Sequence, residues 1–182
     1  MPVFLGKRLS VAVAVALIAC AALPAPGRAA DGVSPAALKA AFLFNFAKFT
    51  DWGAVQPGAA IVLCVANDDQ VVASLTDSAR GQSVSGRAVE VRQVKADLAG
   101  CHLLFVPGSD ARQMLGRVVK EQPLLTVSDA NGFAQAGGMI ELFQDAGRMR
   151  FAVNVETAQR SGIRLSSRLL DLAKIVRSAH AQ

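Results

Sequence analysis

The sequence predicts an α/β sandwich, a mixed β-sheet flanked by helices within a single domain. Three observations predict it. Strand-length apolar runs at 59–67, 101–108 and 123–129 alternate with stretches that open on helix-capping residues. Those runs are apolar at nearly every position, the pattern of strands covered on both faces. Near the C-terminus two alternating segments, 137–143 and 148–155, flank "QDAG" as a β-hairpin. Strand–helix alternation that ends in a hairpin and a final helix gives this fold class.

The first thirty residues, "MPVFLGKRLSVAVAVALIACAALPAPGRAA", place Lys7 and Arg8 before an apolar run from Leu9 to Leu23 and a small-residue segment. That order describes a secretory signal peptide. A membrane anchor needs about 20 apolar residues, and Pro24 ends this run early. The chain therefore divides into a signal peptide at 1–29, a lead-in at 30–35, an α/β domain at 36–178 and a tail at 179–182. Within the leader, "LIAC" also resembles the lipobox at which bacterial lipoproteins are cut and acylated; by that alternative route the mature protein begins at Cys20. Removing residues 1–29 takes away Lys7, Arg8 and Arg28, so the formal charge falls from +5 to +2. The remaining cations are scattered, with no basic run to follow a phosphate backbone, which argues against nucleic acid as a partner.

Ser34-Pro35 open the first helix as N-cap and first-turn proline, and it extends to about Phe49. After the strand at 59–67, Asn67 or Asp68 caps a helix through about Ala79. "GQSVSGRAVEVRQV" gives a glycine-bounded turn and an alternating strand with Val89, Val91 and Val94 in the pattern. Ser109 caps a third helix that extends to about Lys120. In the hairpin's simplest register Glu141 faces Arg150 as a cross-strand charge pair. Asn154 caps a short helix ending at Gly162, and Ser166 or Ser167 starts the last one, with Leu169, Leu172, Ala173 and Val176 as its apolar stripe.

The opening helix has an excess of apolar surface. "KAAFLFNFAKFTDW" (39–52) holds five aromatic residues in a chain that is 5% aromatic. A surface helix needs one apolar stripe. Leu38, Ala41, Phe42 and Phe49 fall near one face and are expected on the sheet. Phe44, Phe46 and Trp52, beside Lys48, are then expected as an exposed aromatic patch for a dimer or partner interface. The alternative is that a second helix covers these rings.

Groups arranged for catalysis are missing. Of two histidines, His180 lies near the end and His102 sits inside an apolar strand, the setting of a satisfied core histidine. No nucleophile elbow, zinc-protease motif or phosphate-binding glycine loop occurs, and the cysteines and histidines lack metal-ligand spacing. No metal, cofactor or catalytic residue is expected. Ser166, Ser167 and Arg168 form a candidate anion site at a helix start, against the plainer reading of an N-cap with a solvent-facing arginine. Cys64 and Cys101, the two mature cysteines, are most simply a disulfide in an exported protein; two buried free thiols are the competing state. The bridge would stabilise the fold by about 4 kcal/mol on the chain-entropy model.

Taken in order, "KAAFLFNFAKFTDW", "IVLCVAND", "CHLLFVP", "LLTVSD...FAQAGGMIELF" and "RFAVNVETAQRSGIRLSSRLLDLAK" resemble the YfiR family of exported bacterial proteins. The likeness runs from about Lys39 to Lys174. It implies a periplasmic regulator rather than a catalyst. YfiR-like proteins repress an inner-membrane diguanylate cyclase, YfiN, by binding its periplasmic domain, which lowers cyclic-di-GMP and disfavours biofilm. The resemblance further implies a YfiB-like outer-membrane lipoprotein that sequesters the repressor, and an α/β sandwich that is often a homodimer. It also places the family's internal disulfide on Cys64 and Cys101. A second disulfide of some members has no counterpart here, and "LIAC" is another departure. The runner-up function is a periplasmic small-molecule sensor module signalling to another membrane receptor, such as a histidine kinase.

N-terminal sequencing of the exported protein is expected to begin at Ala30. A palmitate-labelled product beginning at Cys20 would establish lipoprotein processing instead.

Overall fold

In the computed structural model, residues 33–53, 55–117 and 123–179 are described; the leader, Cys20 and His180 lie outside them. Ser34 caps helix α1 (Pro35–Lys48), its hydroxyl accepting from Ala37 N at 3.1 Å. There follow β1 (Thr50–Asp51), β2 (Ile61–Ala66), α2 (Asp69–Ala79), β3 (Ser83–Val84), β4 (Arg87–Val94), β5 (Leu103–Val106), α3 (Ala111–Leu115) and β6 (Leu125–Ser128). The chain continues through β7 (Ile140–Asp145), β8 (Arg148–Asn154), α4 (Val155–Arg160), β9 (Arg164–Leu165), α5 (Ser167–Leu170) and β10 (Lys174–Val176). Eight strands form one mixed sheet in the order β10-β8-β7-β6-β5-β2-β4-β3, and β1 pairs with β9 in a small ribbon. Strands β4, β2, β5, β6 and β7 run parallel, while β8 turns back antiparallel to β7. The expected α/β sandwich with a mixed sheet is present.

The central strands are apolar throughout because both their faces are covered. Ile61, Leu63, Val65, Leu103, Phe105, Leu125 and Val127 face the larger core with α1 and α2. Cys64, Ala66, Leu104 and Val106 face a smaller one closed by Val94, Met114 and Leu124. Cys64 on β2 and Cys101 before β5 are bonded, with Cα atoms 5.8 Å apart, so the bridge cross-links neighbouring parallel strands under the smaller core.

Helix α1 differs from expectation in which side it buries. Ala40, Leu43, Phe44, Phe46 and Ala47 are buried, whereas Ala41 is exposed and Leu38, Phe42 and Phe49 are half-buried. The exposed aromatic patch does not exist: Phe44, Phe46 and Trp52 are only 8%, 1% and 4% exposed. Helix α1 packs along α2 as well as on the sheet, so it meets apolar surface on two sides. The Phe46 ring stands edge-on to Phe151 of β8 at 5.1 Å. The indole N–H of Trp52 donates to Ala47 O at 2.7 Å, which satisfies the ring's polar atom inside the core. Arg87 fixes the following loop by donating to the carbonyls of Trp52 and Val55.

Three other expectations are corrected. The last helix ends after one turn, and the residues expected to continue it form β10, parallel to β8. The outer edge of β8 offers main-chain partners that β-branched Ile175 and Val176 use well, and the stripe residue Leu172 stays 77% exposed. In the hairpin, Ala146 and Gly147 both take positive φ, forming a two-residue turn that sets Phe143, not Glu141, opposite Arg150. Arg150 pairs instead with Asp145 at 3.0 Å. Finally, α3 follows Asp110 rather than Ser109 and spans only Ala111–Leu115, while residues 118–122 are not among those described.

His102 is satisfied as the sequence predicts, but it lies half-buried just before β5 rather than inside a core strand. Its Nδ1 accepts from Val62 N at 3.0 Å, and Trp52 stands edge-on to its ring. Burial, then Arg87 and Arg92, lower its pKa below the usual 6.5. The folded state thus favours the neutral ring more than the unfolded chain does. The resulting stabilisation is complete above about pH 6.5 and is lost as pH falls toward the folded-state pKa.

Two measurements test this core. Trp52→Ala is expected to cost about 3–5 kcal/mol of stability, and the native emission of this only tryptophan to be blue-shifted; red-shifted emission with an unchanged melt would return Trp52 to the surface. Melting temperature against pH is expected to drop more steeply below pH 6.5 in the unaltered protein than in His102→Gln, whose amide oxygen can take the Val62 N–H. Superimposable curves would remove His102 from the pH dependence.

Candidate functional site

The parallel half of the sheet ends where β6 stops. Ser128 lies opposite Glu141, but β7 continues to Asp145 without β6 beside it. The chain leaving β6 loops through 129–139, and a cleft of about 830 Å³ opens between this loop, the N-terminal turns of α1 and the β7–β8–β10 face. Lys39, Asp129, Gln135, Glu141, Phe143 and Lys174 line it. The carboxyl ends of parallel strands are where α/β sheets gather functional side chains.

The loop wall is held by polar groups that the sequence places within reach. Glu141 is buried, and its carboxylate accepts from Gly132 N at 3.0 Å and Ala134 N at 3.2 Å. Asn154 donates to Ala134 O and Ser178 Oγ, both at 2.8 Å, while its own oxygen caps α4. Ala179 N donates to Gln135 O at 3.0 Å, closing the C-terminal segment against the same loop. Asp129 accepts from Gly108 N at 2.7 Å and forms an ion pair with Lys39 of α1. A Cβ on Gly138 would lie 2.1 Å from the Phe133 ring, so this close approach admits only glycine. Lys174 projects over Phe143, its Nζ 6.0 Å from the ring centroid.

A second polar contact crosses the sheet at its topological switch, where β2 leads right to β4 and β5 returns on the other side. Asn67 Nδ2 donates to Asp110 Oδ2 at 2.6 Å. Hydrogen bonds from Asn67 and then Ser109 hold the Asp110 carboxyl below the usual carboxylate range. Asp110 makes no side-chain capping bond to α3, its backbone lying in the helical region rather than the extended one of the caps Ser34, Asn154 and Ser166.

Among the described residues no cluster of His, Cys, Asp or Glu has metal-binding geometry, and every buried side-chain nitrogen or oxygen has a partner. The only described histidine spends Nδ1 on the backbone, and Glu141 spends both oxygens on the loop. What the cleft presents is the Lys39–Asp129 ion pair, the buried Glu141 carboxylate and Lys174 over the Phe143 ring.

The candidates from sequence fall elsewhere. Phe44, Phe46 and Trp52 are core residues. Ser166 is the N-cap of four-residue α5, its hydroxyl accepting from Leu169 N at 3.3 Å, with Ser167 and Arg168 exposed. Cys64 and Cys101 come together as the bridge. The sequence pattern does not single out Lys39, Phe143 or Lys174; Asp129, an acid directly after an apolar strand, is the one local signal.

No helix among the described residues is long and apolar enough to cross a membrane. No curated protein matches the chain. The model of the YfiR/HmsC-like family matches residues 36–174, from the start of α1 to the start of β10. YfiR-like proteins are periplasmic, and regulatory rather than catalytic. With that match spanning both cores and every strand but the last two residues of β10, the chain belongs to the YfiR/HmsC-like family.

Proposed function

We propose that this protein binds the periplasmic domain of an inner-membrane, YfiN-like diguanylate cyclase and represses it, lowering cyclic-di-GMP and biofilm formation. The family match over residues 36–174 carries this reading. The bridge between Cys64 and Cys101 suits an oxidising compartment, and the anchored charges of the cleft suit recognition without turnover. A YfiB-like outer-membrane lipoprotein relieves the repression by sequestering the protein, and the repressor works as a homodimer. Export through the leader at 1–29 brings it to the periplasm.

The cleft itself favours a second reading, a sensor for a small molecule that reports to another membrane receptor such as a histidine kinase. Its volume of about 830 Å³ lies within the range of roughly 300–1,000 Å³ typical of ligand sites, and Lys39, Asp129 and Lys174 converge there. A sensor kinase beside the gene, in place of a membrane cyclase, would favour it.

Deleting the gene is expected to raise cyclic-di-GMP, and returning the protein to the periplasm to lower it again. Unchanged messenger in the deletion strain, with the cyclase expressed, would overturn the repressor reading.

A further inference from the structure

We propose that Asn131–Gly132, in the loop wall of the cleft, is a deamidation site whose first step the Glu141 carboxylate holds back, and that its isoaspartyl product releases this wall. This goes beyond the regulatory reading above and holds whichever partner is bound.

The chain has four asparagines, Asn45, Asn67, Asn131 and Asn154, and only Asn131 precedes a glycine. Deamidation begins when the backbone nitrogen of the next residue attacks the side-chain carbonyl carbon. A next residue without Cβ leaves that approach unhindered. The other three are poorly placed for it. Asn45 lies within α1 ahead of Phe46, while the side chains of Asn67 and Asn154 are engaged on Asp110 and on Ala134 O with Ser178. Asn131 is exposed in a turn, and Gly132 after it takes a φ of +74°.

In the folded protein the attacking nitrogen is tethered. Gly132 N donates to Glu141 Oε1 at 3.0 Å, and Ala134 N to Oε2 at 3.2 Å. The Gly132 carbonyl accepts from Ala136 N at 2.8 Å, so the residue is held on both sides. The nucleophile is the nitrogen after loss of its proton. Here that proton is bonded to a carboxylate only 9% exposed, and a second negative charge alongside it is disfavoured. Attack therefore waits on a local opening of the Glu141 contact.

The atoms balance with water as the co-reactant. The Gly132 nitrogen gives up its proton and bonds to Asn131 Cγ. The bond from Cγ to the side-chain nitrogen breaks, and that nitrogen leaves as ammonia with the proton. Water then opens the cyclic succinimide at either carbonyl, giving an aspartate or its β-linked isoaspartyl isomer at position 131, with no change of oxidation state. The isoaspartyl link routes the backbone through the side-chain methylene and lengthens it by one atom. Asp129 on one side is anchored to Gly108 N and Lys39, and Gly132 on the other to Glu141. A longer backbone between two fixed points, carrying a new negative charge, cannot keep both. Asn131 and Gly132 line the cleft and also a second cavity of about 580 Å³ beside α3, so both spaces change together.

The test incubates the oxidised, full-length mature protein in mildly alkaline buffer, folded and in guanidinium chloride, and follows deamidation by peptide-mapping mass spectrometry. Conversion is expected at Asn131 ahead of the other asparagines. In the folded protein it is expected to be slower by at least about tenfold, the factor carried by one hydrogen bond to a charged group. Glu141→Gln, which keeps the shape and removes the charge, is expected to raise the folded-state rate several-fold. Equal rates in folded and unfolded protein, earlier conversion at another asparagine, or an unchanged rate in Glu141→Gln overturns the assignment. Should that variant not fold, amide hydrogen exchange measured by NMR on the unaltered protein reads the same contact. Gly132 and Ala134 are then expected to be protected together, and exchange at the unprotected rate overturns the role of Glu141. In the isoaspartyl fraction, separated by ion exchange, these amides are expected to lose that protection; retained protection overturns release of the wall.

Discussion

The constraint on which the structure depends is that β2 and β5 keep both faces from water. Their backbones are paired on each side by β4 and β6, so main-chain hydrogen bonds are met within the sheet. Their side chains then alternate into two apolar clusters, and each cluster needs a cover. On one face the cover is α1 with α2; on the other it is short α3 together with the loop carrying Cys101. Helix α1 carries an excess of apolar residues because it packs on the sheet and also along α2, its neighbour on the same face. Trp52 extends that packing past the helix end, and its indole N–H is satisfied by the last turn of the helix itself.

Beyond β6 the constraint relaxes. Strands β7 and β8 give Ile140, Leu142, Phe151 and Val153 to the larger core, but their opposite face has no helix over it. The loop 129–139 takes that place, and a loop can do so only if its backbone groups find partners. Glu141 and Asn154 are those partners, which explains two buried polar side chains on adjacent strands. The cleft is the space this substitution leaves open. It arises from topology, at the boundary where a parallel sheet with two covers gives way to an antiparallel hairpin with one.

How much of this is legible in the sequence depends on how local the cause is. The strands at 61–66, 103–106 and 125–128 are legible because double burial writes itself as a continuous apolar run. Ser34, Asp68, Asn154 and Ser166 are legible as caps because a cap is a bond within four residues. The burial of Phe44 and Phe46 is not legible, since it is decided by elements far along the chain, as Phe151 of β8 shows for Phe46. Nor is β10: "RLLDLAKIV" has helical spacing, and only the vacant edge of β8 turns its end into a strand. From sequence Glu141 falls opposite an arginine, because the register of a hairpin rests on its turn, and Ala146 with positive φ is not a residue that announces one. The cleft was hidden for the same reason, as its walls come from α1, the 129–139 loop, β7 and β10.

The anchored polar groups also bear on how the cleft would act. Lys39 and Asp129 join α1 to the end of β6, while Glu141 and Asn154 join the loop to β7 and β8. The wall is therefore fixed before anything binds, and a partner pays little ordering entropy on meeting it. The exposed apolar residues are of another kind. Leu172 precedes, and Ile175 lies within, an edge strand only three residues long that opens on Lys174. A short edge carrying a lysine is how sheets resist adding further strands. Lys174 belongs to both, lining the cleft and guarding the edge beside it.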